Sequence, residues 1–315
     1  MLLSVAVALG HENIKSDYNH LRSINHDAYV YIDVAREGSS AISGDHRSTR
    51  LLMPLSAYYL SKINPFSGKY STPQVNLFFI SLIFFFASCL ILFKLAKEKY
   101  NKDIAIYSVF FFSINFGTSN GYFYGTPDVA EFLFSLLLFF VLLKNKFQLL
   151  IPLFLIAAFN RESFIIFSLP VIFTWSFLLS DSEQRLKCLF YGIVGAILFL
   201  ATFYFIKNIF QGDISVFSDR TSNLLSIKKF LMFIDIDNIR NLLYYIILLI
   251  PLGLIGLSED KKLFYSAISI ILIYLMISGF FVGSGAAAGR YIFSSAGPIL
   301  VIGQAIFFER FRKLL

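Results

Sequence analysis

From residue 74 onward, apolar residues come in long runs rather than in the i, i+3, i+4 stripe of a helix with one wet face. Short polar breaks divide the runs. A bilayer core about 30 Å thick takes roughly 20 apolar residues per helix, and shorter runs serve where a helix is broken or packed inside protein. The pattern predicts nine membrane spans, at 74–93, 104–118, 129–143, 148–160, 163–180, 188–206, 241–257, 263–282 and 291–308, the pair over 148–180 also reading as a bent hairpin. The expected fold is all-α, one polytopic transmembrane helical domain over 1–315. Two long segments lie outside the membrane: 10–73, with amphipathic helices, and 207–240.

Composition agrees. The chain is 57% hydrophobic and 15% charged with mean hydropathy +0.70, too little charge to cover the surface of a soluble protein of 315 residues. Its 38 phenylalanines include the runs Phe78-Phe79 and Phe84-Phe85-Phe86, suited to lipid-facing and helix-packing surfaces. The excess of 27 Lys and Arg over 20 Asp and Glu does not signal nucleic acid, because the cations sit mainly at the ends of apolar runs. Thirteen of them fall within the 33 residues of 94–103, 144–147, 181–187, 258–262 and 309–315. The positive-inside rule makes those segments cytoplasmic and places 10–73 and 207–240 outside. Cys89 and Cys188 fall in or beside apolar runs and suggest neither a disulfide framework nor a metal-thiolate site.

Met1 to Leu9 is apolar but only about half a span long. An external 10–73 requires something to carry the start of the chain across the bilayer. The expectation is that these residues are the remnant of a further transmembrane helix, giving ten spans; a short interfacial helix is the alternative.

The unusual polar residues gather on the external side. Asp27 is placed to cap a helix running to about Glu37 and ending at Gly38. Asp27, Tyr31 and Ala35 recur every four residues, so Asp27 and Tyr31 share a face while Asp33 points elsewhere. Capping alone also accounts for Asp27. Arg47 and Arg50 lead into an amphipathic stretch ending near Lys62, where a guanidinium fork suits a lipid phosphate or an ordinary headgroup. The loop Asn120-Gly121-Tyr122-Phe123-Tyr124-Gly125-Thr126-Pro127-Asp128 sets a carboxylate beside aromatic rings. Tyr124 could stack on a sugar and Asp128 accept from its hydroxyls, while an aromatic belt plus a helix start explains the same residues. Asn160-Arg161-Glu162-Ser163 interrupts apolar sequence on both sides. Charge at such depth faces protein or an aqueous cavity, and the adjacent Arg161 and Glu162 should turn to separate partners; a polar hairpin turn is the plainer reading. Gly283-Ser284-Gly285-Ala286-Ala287-Ala288-Gly289-Arg290 ends in an arginine at the mouth of the last span, either a phosphate contact or a boundary residue.

The pattern Asp-x-x-x-Tyr-x-x-x-Ala-Arg-Glu at Asp27, Tyr31, Ala35, Arg36 and Glu37 resembles the first external loop of GT-C glycosyltransferases. These are polyprenyl-phosphate-sugar-dependent membrane enzymes that include protein O-mannosyltransferases and aminoarabinose transferases. Arg50-x-Leu52-x-Pro54 and Arg161-Glu162-Ser163 are similar to segments of other members. The resemblance implies a GT-C-like, multi-pass protein of the bacterial plasma membrane with its active site on the external face. It would move a sugar from a polyprenyl-phosphate donor to a glycan, lipid or protein acceptor. Asp27 is then the residue that deprotonates or orients the acceptor, with Asp33 and Asp128 as rivals for the role of base, and Tyr31, Arg50, Tyr124, Asp128, Arg161, Glu162 and Arg290 are the expected substrate-binding residues. A second acidic residue often follows the first in the family; here it is Ala28, so a paired-carboxylate metal site is not expected and a divalent metal is optional. A flippase of lipid-linked sugars or a polysaccharide polymerase are the alternatives.

Overall fold

A computed structural model describes residues 27–41, 50–63, 72–115, 127–211, 227–282 and 284–314, and among them helix is the only regular structure. Met1–Leu9 lies outside the described residues. The helices are α1 (Asp27–Glu37), α2 (Leu52–Ile63), α3 (Pro73–Lys99), α4 (Lys102–Ile114), α5 (Asp128–Leu143), α6 (Leu150–Ala157), α7 (Ser163–Phe177), α8 (Ser182–Gln211), α9 (Ile227–Phe233), α10 (Ile236–Ile246), α11 (Leu249–Leu257), α12 (Lys261–Ile277) and α13 (Gly285–Leu314). Four segments, Pro73–Lys99, Ser182–Ile209, Lys261–Phe280 and Ala288–Leu314, are long and apolar enough to cross a bilayer, the signature of a membrane protein.

Every apolar run read from the sequence contains helix, but the lengths differ from expectation. The runs at 104–118, 129–143, 148–160 and 163–180 form α4 to α7, of 13, 16, 8 and 15 residues, each short of a full crossing. The run 241–257 is not one helix but two, α10 and α11, parted at Ile247 and Leu248. Pro251 is the reason: it has no N–H to return to the Ile247 carbonyl. Gln304 Nε2, from α13, donates to the neighbouring Leu248 carbonyl at 3.0 Å and ties the break to the central helix. The expected loop 207–240 is largely helical where it is described, because α8 continues to Gln211 and α9 and α10 begin at Ile227 and Ile236.

The core forms around α13. Of its apolar segment 78% is buried, against 33–44% in the other three long helices, so α13 is central and they face outward. Its closest neighbour is α11. A Cβ added to Gly256 would stand 1.8 Å from the Gly303 carbonyl oxygen, and one added to Gly303 would stand 2.0 Å from that of Gly253, so only glycines allow this crossing. Elsewhere phenylalanines fill the gaps: Phe112 of α4 stacks on Phe85 of α3 at 5.7 Å, and Phe132 of α5 sets its edge to Phe112 and Phe293 at 5.3 and 5.4 Å.

The basic segments meet at one end. Lys99 reaches Asp260 at 2.5 Å, Lys144 reaches Glu98 at 2.6 Å and Arg310 reaches Glu259 at 2.8 Å. From Arg290 to Arg310 along α13 is roughly 30 Å at 1.5 Å per residue, about one hydrocarbon core. Of the polar residues singled out from the sequence, Tyr31, Arg50, Asp128, Arg161, Glu162 and Arg290 lie at the other end.

Candidate functional site

The site begins where α1 stops. Gly38 takes the left-handed φ of +70° that ends a helix, and a Cβ there would meet the Tyr58 ring at 2.9 Å, so α1 turns tightly against α2. This seats Tyr31, 1% exposed, beside Arg50, two residues before α2. Arg50 Nη1 donates to the Tyr31 hydroxyl at 3.0 Å, while Nη2 and Nε reach the two carboxylate oxygens of Glu162 at 2.8 and 3.4 Å. A backbone bond from the Leu52 N–H to the Phe159 carbonyl, 2.8 Å long, fixes α2 against the turn before Glu162.

Arg161 turns the other way, into the protein. It is 1% exposed, and its Nη1 pairs with Asp128 Oδ1 and, at 3.4 Å, with Glu131 Oε2. The guanidinium lies over the Tyr291 ring, 4.5 Å from its centre. Asp128 Oδ2 also faces Arg290 Nε at 3.5 Å. Glu131 is fully buried and accepts from Ser163 Oγ at 2.7 Å, with Ser295 Oγ at 3.4 Å. Ser295 Oγ also lies 3.2 Å from the Tyr274 hydroxyl, which donates to the Ser163 carbonyl at 3.1 Å. Asn160 Nδ2 closes the turn on the Pro127 carbonyl at 3.1 Å.

Three arginines thus face three carboxylates: Arg50, Arg161 and Arg290 against Glu162, Asp128 and Glu131. Charge balance makes their burial tolerable. Burial would raise the Glu162 carboxyl, but the Arg50 guanidinium outweighs it and holds the acid well below the usual carboxylate range. Arg50 is likewise kept charged: burial works against it, and Glu162 more than compensates. Arg161 Nη2 and Asn160 Oδ1 are buried without a hydrogen-bond partner among the described residues.

Of the residues chosen from the sequence, Tyr31, Arg50 and Glu162 form one group and Asp128, Arg161 and Arg290 another, joined through the Arg161-Glu162 peptide. Asp128 is not turned toward an open sugar site, since it is 3% exposed and both its oxygens face arginines. Asp27 opens α1, but its side chain and the whole of Tyr124 lie outside the described residues. Asp33 pairs with Arg36 at 3.8 Å, on the more exposed side of α1. Sequence reasoning passed over Glu131, Tyr274 and Ser295. Glu131 had a signal, a carboxylate inside the apolar run 129–143; a Tyr and a Ser within apolar helices had none. Among the described residues no three His, Cys, Asp or Glu side chains group closely enough to hold a metal ion. No known protein family, curated protein or solved structure matches this chain.

Proposed function

We propose that the chain is a membrane glycosyltransferase of the GT-C type, moving a sugar from a polyprenyl-phosphate donor to a glycan, lipid or protein acceptor at the membrane surface. The observation that carries this reading is the convergence of Arg50, Arg161 and Arg290, from three distant parts of the sequence, on one polar cluster at the end of the helices remote from the basic segments. A lipid phosphate is the substrate group for which arginine forks are best suited.

In this reading Asp27 takes the proton of the acceptor hydroxyl as its oxygen bonds to the anomeric carbon. The bond from that carbon to the phosphate oxygen breaks, and the lipid phosphate leaves with the electron pair. Arg290, whose side chain is 29% exposed, is the arginine best placed to meet the phosphate. Arg161, locked on Asp128 and Glu131, positions Asp128 and through it Arg290. Location at one end favours surface transfer over transport, which places its binding groups near mid-membrane.

The test is transfer of radiolabelled sugar from polyprenyl-phosphate donors to membrane acceptors by the purified protein and by Asp27→Asn, both checked for equal folding. Transfer that collapses in the variant supports a transferase with Asp27 as base. Transfer that survives moves the base elsewhere. No transfer from any donor, with protein-dependent lipid translocation in vesicles, sinks the proposal in favour of a flippase.

A further inference from the structure

The segment 207–240, expected from the sequence to be an external loop, contains an elbow whose outward surface is apolar. α9 ends at Phe233 and α10 begins at Ile236. Around that turn Leu231, Met232, Ile234 and Ile236 are each at least 47% exposed. Apolar residues scattered singly over a surface need no explanation, but a contiguous group of them does.

The elbow is held in place from behind. The Phe230 ring stacks on Phe280 at 5.0 Å and passes close over Gly279, which docks α9 on the turn Ser278–Val282 after α12. Leu231 and Met232 are left facing outward. The turn also meets its own polar groups. The Ile234 and Asp235 N–H groups donate to the Phe230 and Met232 carbonyls at 3.1 and 3.2 Å, Asn238 Nδ2 donates to the Met232 carbonyl at 2.8 Å, and Asp235 Oδ2 accepts from the Asp237 N–H at 3.3 Å. Backbone satisfied from within and apolar side chains turned out are what a segment needs to leave water for lipid.

The apolar surface does not stop at the elbow. Ile236, Ile239 and Leu243 form one exposed stripe along α10, continued by Ile247 and Leu248 at the break and by Ile255 of α11. From Ile236 to Leu257 the chain spans roughly 33 Å at 1.5 Å per residue, about one hydrocarbon core, which sets the elbow at the edge remote from the basic segments. Asp237 and Arg240, paired at 3.1 Å, flank the stripe. Side chains lean toward the start of their helix, so both reach outward to headgroup depth. The exposed residues are large, whereas helices that pair within a membrane meet through small ones, so lipid suits this face better than a second copy of the chain.

We propose that the α9–α10 elbow is a membrane anchor, with Leu231, Met232, Ile234 and Ile236 seated in the interfacial layer of the bilayer among the upper acyl chains. The anchor stands independently of the proposed transferase activity.

The experiment uses the full chain in phosphatidylcholine vesicles. Trp175, its only tryptophan, is buried and supplies a constant background. Leu231→Trp and Ile236→Trp each add one reporter at an exposed position, and elution like the wild type's in detergent checks the fold of each, so that either variant can decide alone. Quenching is read with phosphatidylcholine brominated near the top of its acyl chains and, separately, with acrylamide in the water. We expect the added emission to be cut about twice as much by the brominated lipid as by acrylamide. Stronger quenching by acrylamide places the elbow in water and overturns the proposal. Resistance to both quenchers means that protein covers the elbow, and shielding from acrylamide that is lost on further dilution in lipid means that a second copy does; either result also overturns it.

Discussion

The two ends of this molecule handle charge in opposite ways. At one end, Arg161, Asp128 and Glu131 are all at most 3% exposed and satisfy one another deep in the protein. At the other, pairs such as Lys187 with Glu183 and Arg310 with Glu259 stand in solvent. The contrast shows why counting ion pairs is uninformative: an exposed pair gives back in side-chain entropy and screening most of what it gains, whereas a buried pair is costly to assemble and more costly to break.

The sharpest way to break the comparison is Arg161→Leu. It leaves Asp128 and Glu131 buried without their shared cation, and we expect a loss of about 3–5 kcal/mol, read as a lowered Tm and a loss of monodisperse protein in detergent. Converting Asp128 and Glu131 to Leu in the same chain should recover most of that stability without restoring any activity. Failure to recover would show that the network shapes the fold as well as the site.

Glu162→Gln should cost less, about 1–2 kcal/mol, because the acid is partly exposed although its partner Arg50 is buried. A carboxyl held low in the folded state contributes stability that is present above the ordinary carboxylate range and lost as pH falls through its folded value. The wild type should therefore lose Tm progressively on acidification below about pH 4, and the Gln variant should lose less over the same interval. Parallel curves would show that Glu162 does not contribute this dependence. The smallest effect belongs to the basic end: Lys187→Ala should leave Tm unchanged, and a clear drop there would overturn the assignment of that pair as dispensable.

Much of this was legible in the sequence because local chemistry is written there. The helix Asp27–Glu37 stops at Gly38 as the sequence indicates, because a tight end needs a left-handed residue. Arg161 and Glu162 take separate partners as expected, but not for the helical reason, because both sit in the turn between α6 and α7. The divided run 241–257 was missed although Pro251 was visible, because the run was read by hydropathy, which a proline barely changes.

The sequence by itself determined that the chain is helical and apolar enough for a membrane, where its cations concentrate and which polar residues are out of place in apolar surroundings. Composition, run length and capping are local properties, and they survive any arrangement of the helices. Only the tertiary structure decided that α13 is the centre, that Glu131 joins Asp128 on one arginine, and that Arg50 selects Glu162. Those pairings span 30 to 112 residues of chain, and partners at such distances are chosen by packing rather than by spacing. The Gly256–Gly303 contact is the plainest instance: each glycine is permissive alone, and their meeting sets the approach of two helices.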